Sequence, residues 1–179
     1  MPSLQQRLAE NSPATSGAHE AMAQHAEDTF ESLKGILPIF LGKRMAGSFV
    51  VLTLPNQTMR SRATLLSALS DLIIAYDFQL VSFVSAIQAR ASEADEPQLG
   101  AILITADDSK ALFQLPWELK FDADANLVGY DRSDAEGEII PAQSWNTFFQ
   151  RKAPELQRPA YDRLLNLFED PSQLPAFEA

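Results

Sequence analysis

The chain has 179 residues, with 24 acidic against 14 basic side chains, a formal net charge of −10 and no cysteine. Without cysteine it can form no disulfide, thiolate zinc site or cysteine nucleophile, and its two histidines leave little material for histidine-based chemistry. At this length a folded chain can remove roughly 70% of its unfolded surface from water, so a hydrophobic core can stabilise it without cross-links.

The sequence predicts neither a secretory signal nor a membrane-spanning helix. The first 12 residues contain one arginine and no apolar run, so they do not match a secretory signal. The most apolar stretch, residues 35–54, is interrupted by proline, glycine and basic residues and falls short of the ~20 apolar residues that a spanning helix needs. We therefore expect a cytoplasmic protein of bacterial type with no membrane partner.

The N-terminal third is predicted to be helical. Residues 1–16 are expected to form a mobile N-terminal arm, with a short helix over Ser3–Asn11 and a turn-rich spacer. From Ala18 to Phe40, apolar residues recur every three or four positions, which predicts one amphipathic helix facing a core. Pro38 should end or kink this helix.

A strand and a second helix follow. The β-rich run Ser48–Leu54 predicts a buried strand. Asn56 or Thr58 is then expected to cap a helix. One face of that helix carries Leu65, Leu66, Leu69, Leu72, Ile73 and Tyr76.

From residue 78 onward the apolar period changes from 3.6 to two, which predicts a meander of four strands. These strands are Val81–Ala89, Gly100–Thr105, Phe113–Phe121 and Leu127–Tyr130. Pro116 cannot donate a ladder hydrogen bond, so its strand is expected at a sheet edge or with a bulge.

The C-terminal part returns to helix. One helix is predicted around Trp145, Phe148 and Phe149, another from near Pro159, and in the tail 171–179 the side chains of Leu174 and Phe177 are expected to dock in a groove. Trp117 and the three aromatic residues near 145–149 are interpreted as core rather than interface anchors. The order of elements predicts an α+β fold, a single domain over residues 17–170 with an antiparallel sheet of about four to five strands and helices packed on one face.

The acidic charge lies in the second half of the chain. Residues 1–90 hold seven basic and seven acidic side chains, and residues 91–179 hold seven basic and seventeen acidic ones. Such a field repels a phosphate backbone, so a nucleic-acid partner is not expected.

Two motif-like patterns are better explained by structure. His19 and His25 are six positions apart, about 240° round a helix, and so cannot both face one zinc ion. Asp122, Asp124 and Asn126 match the first oxygen ligands of a calcium loop, but Leu127 replaces the required glycine, so we interpret them as an Asx-rich hairpin turn.

One constellation suggests a metal-dependent enzyme as the alternative. Asp107 and Asp108 close an apolar strand, and Glu118 and Lys120 lie at i and i+2 on the next one. The pattern resembles the PD-(D/E)xK nuclease family, and the resemblance implies a metal-dependent phosphodiester hydrolase in which Asp107 or Asp108 and Glu118 bind Mg²⁺ or Mn²⁺. It further implies that Lys120 orients the nucleophile. The charge balance opposes this alternative, because no basic surface is evident to receive DNA.

The leading hypothesis is a non-catalytic protein-binding module, an adaptor, chaperone-like or inhibitor protein that needs no cofactor. Its partner, or a second copy of the chain, would dock on an edge strand near Gln114 to Phe121 or on the terminal segments. In size and acidity the chain resembles secretion chaperones, although the order of its elements differs from theirs. A further alternative is a small-ligand or lipid pocket between the helices and the sheet.

Overall fold

The computed structural model describes residues 3–10, 15–33, 38–55, 58, 61–89, 98–108, 111–124, 126–132, 138–140, 149, 153–168 and 170–177. The helices are α1 (Leu4–Glu10), α2 (Thr15–Leu33), α3 (Arg62–Tyr76), α4 (Pro154–Leu167) and a short 3-10 helix (Pro171–Gln173). The strands are β1 (Ile39–Lys43), β2 (Phe49–Thr53), β3 (Leu80–Ala89), β4 (Gln98–Asp107), β5 (Ala111–Phe121), β6 (Leu127–Arg132) and β7 (Glu138–Ile140). The predicted α+β class with an antiparallel sheet is confirmed.

The chain folds into two compact units, and each unit is built from three separate segments of the chain. The first unit comprises segments 1–38, 82–105 and 112–140, and the second comprises 39–81, 106–111 and 141–179. The domain boundaries predicted at residues 16 and 170 stay predictions.

The sheet of the first unit runs in the order β3-β4-β5-β6, and β7 also pairs with β5. In the antiparallel β5–β6 hairpin Leu119 lies opposite Tyr130, and a bulge separates Lys120 from Phe121. The prediction that Gln114 to Phe121 forms an edge is therefore wrong, because β5 has β4 and β6 as neighbours. The edge was predicted from Pro116, which lacks one ladder donor, and a missing donor at one position does not prevent pairing at the other positions of the strand.

The side chain of Arg7 links helix α1 to helix α2. A reciprocal pair of hydrogen bonds between Ser3 and Gln6 caps α1, and Leu4 is buried. Arg7 donates to the Gln24 carboxamide at 2.8 Å and forms an ion pair with Asp28. These contacts tie the N-terminal segment to the next helix.

Helix α2 confirms the first part of the predicted stripe and corrects its end. Ala18, Met22 and Phe30 are buried, and the ring of Phe30 meets that of Tyr130 edge-on with centroids 5.5 Å apart. The predicted continuation to Phe40 is wrong, because this residue lies in strand β1. A proline disfavours helix in the residue before it, and Pro38 starts an apolar run that suits a strand.

The second unit begins with the β1–β2 hairpin, of which the sequence predicted β2 alone. Ile39 lies opposite Thr53, and the antiparallel register continues without a break to Lys43 opposite Phe49. The turn contains Gly47 with φ of 92°, a conformation that glycine adopts without strain.

Helix α3 is capped by a different residue from the two predicted. The Ser61 hydroxyl accepts a hydrogen bond from the Thr64 backbone N–H at 3.1 Å. Thr58 is fully buried instead, and Asn56 lies outside the described residues. At its other end α3 stops at Asp77, which adopts the left-handed conformation with φ of 52°.

Helix α4 and the tail pack on α3. The helix begins at Pro154, before the predicted start, and contains Pro159 in its first half. The predicted docking of the tail is confirmed, because Leu174 is buried and the ring of Phe177 stacks on that of Tyr161 at 4.9 Å.

Other expectations concern single side chains or the whole chain. Of the helix predicted around residue 145, the structure describes Phe149, which is helical and buried. Trp145 and Phe148, and the side chain of Trp117, lie outside the described part. Across the described ranges, no helix combines the length and the hydropathy that crossing a membrane requires.

Candidate functional site

The residues of the nuclease-like pattern fall in different settings. Asp107 is half-buried at the end of β4, and Asp108 follows it in an exposed position. The Lys120 ammonium lies 2.7 Å from a carboxylate oxygen of Asp131 on the neighbouring strand, with both side chains more than half exposed. The backbone of Glu118 lies in β5, and its side chain is outside the described part.

The two aspartates belong to the second unit, whereas Glu118 and Lys120 belong to the first. Among the described side chains, no group of three or more histidines and carboxylates is placed to hold a metal ion. The Mg²⁺ or Mn²⁺ site stays a prediction from sequence.

The predicted Asx turn is confirmed. One carboxylate oxygen of Asp122 accepts hydrogen bonds from the backbone N–H groups of Asp124 and Asn126, both at 2.9 Å. These bonds, that of Asn126 foremost, hold the pKa of Asp122 below its usual value. The Asp122 carboxylate therefore stabilises the turn that joins β5 to β6.

The two histidines of helix α2 are buried or half-buried. His19 is buried, and its Nδ1 lies 2.7 Å from the Thr105 hydroxyl. That hydroxyl also lies 2.8 Å from the Ser82 hydroxyl, so the three side chains form a buried polar chain. His25 is half-buried, and burial lowers its pKa, with Arg7 acting in the same direction and Asp28 against it.

A small cleft of about 180 Å³ lies within the second unit. Its lining comes from four segments: the residue after β1, the end of α3, the first turn of α4 and the tail. These residues are Arg44, Ala75, Tyr76, Asp77, Gln157 and Ala176. The cleft brings together one basic, one acidic and one amide side chain.

The arginine of the cleft is held by its backbone and by a ring. The Arg44 backbone closes the β1–β2 turn through hydrogen bonds of 2.9 Å with Ser48 and Gly47. Its guanidinium carbon lies 5.8 Å from the ring centroid of Tyr76, which is a cation–π contact. Its Nε atom is buried and has no hydrogen-bond partner. A buried donor without an acceptor is costly, so this N–H needs an oxygen atom from outside the protein, which water can supply.

Tyr76 is a fixed wall of the cleft. Its hydroxyl donates a hydrogen bond of 2.8 Å to the Pro175 carbonyl. Burial raises the pKa of Tyr76, the neighbouring Tyr161 phenol adds to the rise, and Arg44 opposes it. The phenol therefore stays protonated and can hold the tail, but it cannot act as a base near neutral pH.

The remaining polar groups complete the lining. Gln157 is half-buried in the first turn of α4, where its amide offers both a donor and acceptors. Asp77 follows the last turn of α3, whose carbonyl groups carry partial negative charge. This arrangement can bind a small polar molecule. The sequence pattern did not predict this cleft, and its one local signal was a basic pair, Lys43 and Arg44, in a hairpin without acidic residues.

The outer strand of the second unit is a separate feature. Strand β2 ends the strand order, and its neighbour β1 is also bonded to the Gln79 backbone N–H, which donates to the Lys43 carbonyl at 2.8 Å. β2 has no charged residue, and it exposes 39% of Val51. Met45, in the turn before it, is 76% exposed.

Comparisons of the chain with protein-family models, with curated proteins and with solved structures found no match.

Proposed function

We propose that this protein is a non-catalytic protein-binding module, and that its partner adds an extended segment to the outer edge of β2. The observation that carries the proposal is the position of β2 (Phe49–Thr53) at the end of the strand order, with no charge along its length. An outer strand offers a row of backbone N–H and C=O groups to a second chain, and charged residues are what usually protects such an edge. Side chains at alternate positions then supply specificity.

The exposed side chains of the hairpin support the same proposal. Val51 projects from the middle of the strand and Met45 from the turn beside it, and both would lose apolar surface to a partner. The hairpin region 38–55 holds Lys43 and Arg44 and no acidic residue, although the whole chain carries −10. An acidic extended segment therefore suits this edge better than a basic one.

The test compares two valine-to-lysine variants. Val51→Lys places a charge on the proposed edge, and Val128→Lys makes the same change on β6, where the valine is 61% exposed. Immobilised wild-type protein and both variants are exposed to cell extract, and retained proteins are identified by mass spectrometry. We expect a partner that binds the wild type and the Val128 variant and is lost with the Val51 variant. Retention by all three proteins would place the binding elsewhere and overturn the proposal.

Light scattering of the purified protein tests whether the partner is a second copy. A dimer that Val51→Lys converts to a monomer would identify self-association through β2. A dimer that survives this change, with no other partner found, would refute the use of this edge. Urea unfolding of each variant shows whether the fold is retained.

The alternative function, a metal-dependent hydrolase, is supported by the sequence pattern alone. Its test is the thermal midpoint with and without Mn²⁺ for the wild type and Glu118→Gln. A rise confined to the wild type would favour it, because a ligand that binds only the folded state raises stability.

A further inference from the structure

We propose that the segment that pairs with β2 runs antiparallel to it and places a threonine, an apolar and an acidic side chain opposite Thr53, Val51 and Phe49. This inference rests on the proposed function, because it names the class of segment that the same edge selects. It follows from the backbone groups that β2 turns outward, from the exposure of its two faces and from the position of Lys43.

The pairing of β2 with β1 determines which of its backbone groups point outward. The Arg44 N–H donates to the Ser48 carbonyl at 2.9 Å, so these two residues form a hydrogen-bonded pair. The register then continues without a break through all five positions of β2, and bonded pairs alternate with non-bonded pairs along an antiparallel ladder. The second and fourth residues of β2 therefore bond to β1. The outward N–H and C=O groups belong to the other positions, Phe49, Val51 and Thr53.

The same three residues have their side chains on one face of the strand, because successive side chains alternate between faces. Val51 and Thr53 are exposed and Phe49 is half-buried, whereas Leu52 on the other face is buried. A partner residue that bonds to one of these backbones places its own side chain beside it on this face. Val51 then buries apolar surface against an apolar side chain. Thr53 can share a hydrogen bond with a threonine.

An acidic side chain fits opposite Phe49, because a positive charge already lies over that ring. Lys43 is opposite Phe49 in the register with β1, so both side chains lie on the same face. The Lys43 ammonium is 5.9 Å from the centroid of the Phe49 ring, so the lysine side chain extends from β1 over the outer strand. Neighbouring strands are about 4.8 Å apart, which brings this charge within reach of a glutamate on the added strand. Lys43 has a further contact of its own, and its charge attracts a carboxylate at this position all the same.

The charge of the surrounding sequence supports an acidic segment over a basic one. From residue 32 to residue 70 the chain has five basic residues and no acidic one, although its net charge is −10. A lysine opposite Phe49 would meet Lys43 with the same sign, and like charges on neighbouring strands are destabilising.

Antiparallel pairing determines the order of the three side chains. Antiparallel strands pair slightly more strongly per residue than parallel ones, and β2 already pairs with β1 in this way. The added strand then runs from the Thr53 end of β2 to the Phe49 end. Its sequence is therefore threonine, any residue, a β-branched apolar residue, any residue, and an acidic residue.

Three peptides with blocked ends test the order and the charge. The first is Thr-Ser-Val-Ser-Glu, the second has lysine in place of glutamate, and the third has the reversed order Glu-Ser-Val-Ser-Thr. Chemical shifts and amide exchange of the full chain report binding. We expect the first peptide to slow exchange of the outward amides of Phe49, Val51 and Thr53 and to leave those of Val50 and Leu52 unchanged. The other two peptides should bind at least about fivefold more weakly.

Variants of the protein assign the charge. Lys43→Gln should remove the preference for the glutamate peptide over the lysine peptide. Lys120→Gln removes a positive charge from an exposed position of β5 and should leave the preference unchanged. Val51→Lys should weaken all three peptides. Urea unfolding verifies the fold of each variant.

The outcomes separate this inference from the proposed function. Equal slowing of the outward amides by all three peptides, or a glutamate preference that survives Lys43→Gln, would overturn the inferred segment and leave the β2 edge in use. No response of these amides at about 5 mM peptide would also overturn it. The edge itself is refuted only if the Val51→Lys variant retains the partner from cell extract.

Discussion

Asp71 on α3 and Arg163 on α4 are 92 positions apart in the chain and form a bidentate ion pair. Arg163 Nη2 lies 2.8 Å from Asp71 Oδ1, and Nε lies 3.1 Å from both carboxylate oxygens. The Asp71 side chain is 12% exposed and that of Arg163 is 58% exposed. The side-chain hydrogen bonds to Asp71 raise the pKa of Arg163, so the guanidinium stays charged at neutral pH.

Removing the arginine should weaken the packing of these two helices. We expect Arg163→Ala to lower the free energy of unfolding by about 1–2 kcal/mol, because it leaves a nearly buried carboxylate without its main donor. Urea unfolding measures the change. Asp162→Ala on the same helix breaks the exposed pair with Arg158 and should cost about 0.5 kcal/mol or less. Similar losses in both variants would show that the burial of Asp71 has no special weight.

A glycine in β1 makes room for an aromatic ring. A Cβ atom on Gly42 would lie 2.7 Å from three ring carbons of Phe78, whose own ring packs against Phe40 and is fully buried. Gly42→Ala should therefore cost about 1–3 kcal/mol, seen as a fall in the thermal midpoint of several degrees. Gly129→Ala is the matched strand control, because nothing lies within 4 Å of its added atom. The interpretation fails if the two alanines lower the midpoint equally.

The buried polar chain of the first unit should depend on its central hydroxyl. Thr105 contacts both His19 Nδ1 and the Ser82 hydroxyl, and all three side chains are buried. Thr105→Val keeps the shape and removes both hydrogen bonds, so we expect a loss of about 1–3 kcal/mol in urea unfolding. Thr53→Val in an exposed position of β2 serves as the control, with a change within about 0.5 kcal/mol. A neutral result for Thr105→Val would mean that the chain contributes no net stability.

The depressed pKa of His25 predicts how stability changes with pH. The unfolded chain takes up a proton near pH 6.5 and the folded chain at a lower pH, so the unfolded state binds more protons between these two values. The free energy of unfolding should therefore be highest above pH 6.5 and fall as the pH is lowered through 6.

Urea midpoints at pH 5.5, 6.5 and 7.5 measure this dependence for the wild type and His25→Gln. The variant should show a flatter profile, because the titrating imidazole is gone. The carboxylates of Asp122 and Asp170 have lowered pKa values, so their contribution is lost only in more acidic solution. An unchanged slope in the variant would assign the dependence to another group.

The sequence by itself determined the elements whose pattern records burial. Alternation of apolar residues located strands β3 and β5, a continuous apolar run located β4, a turn-rich segment indicated β6, and the three- and four-residue spacing located α3. The Asx turn could be predicted from the sequence because its hydrogen bonds join residues within four positions of Asp122. Local signals suffice where the partners are close in the chain.

Only the tertiary structure decided which elements meet. Phe40 fits a helical stripe by spacing, yet it lies in β1, where it packs with Phe78. Pro116 suggested an edge or a bulge, yet its strand has neighbours on both sides and its bulge lies between Lys120 and Phe121. The cleft joins Arg44 to the end of α3, to Gln157 and to the tail, and no local period encodes contacts between segments so far apart. Local periodicity determines on which face of its helix or strand a residue lies, and tertiary packing determines which residues that face contacts.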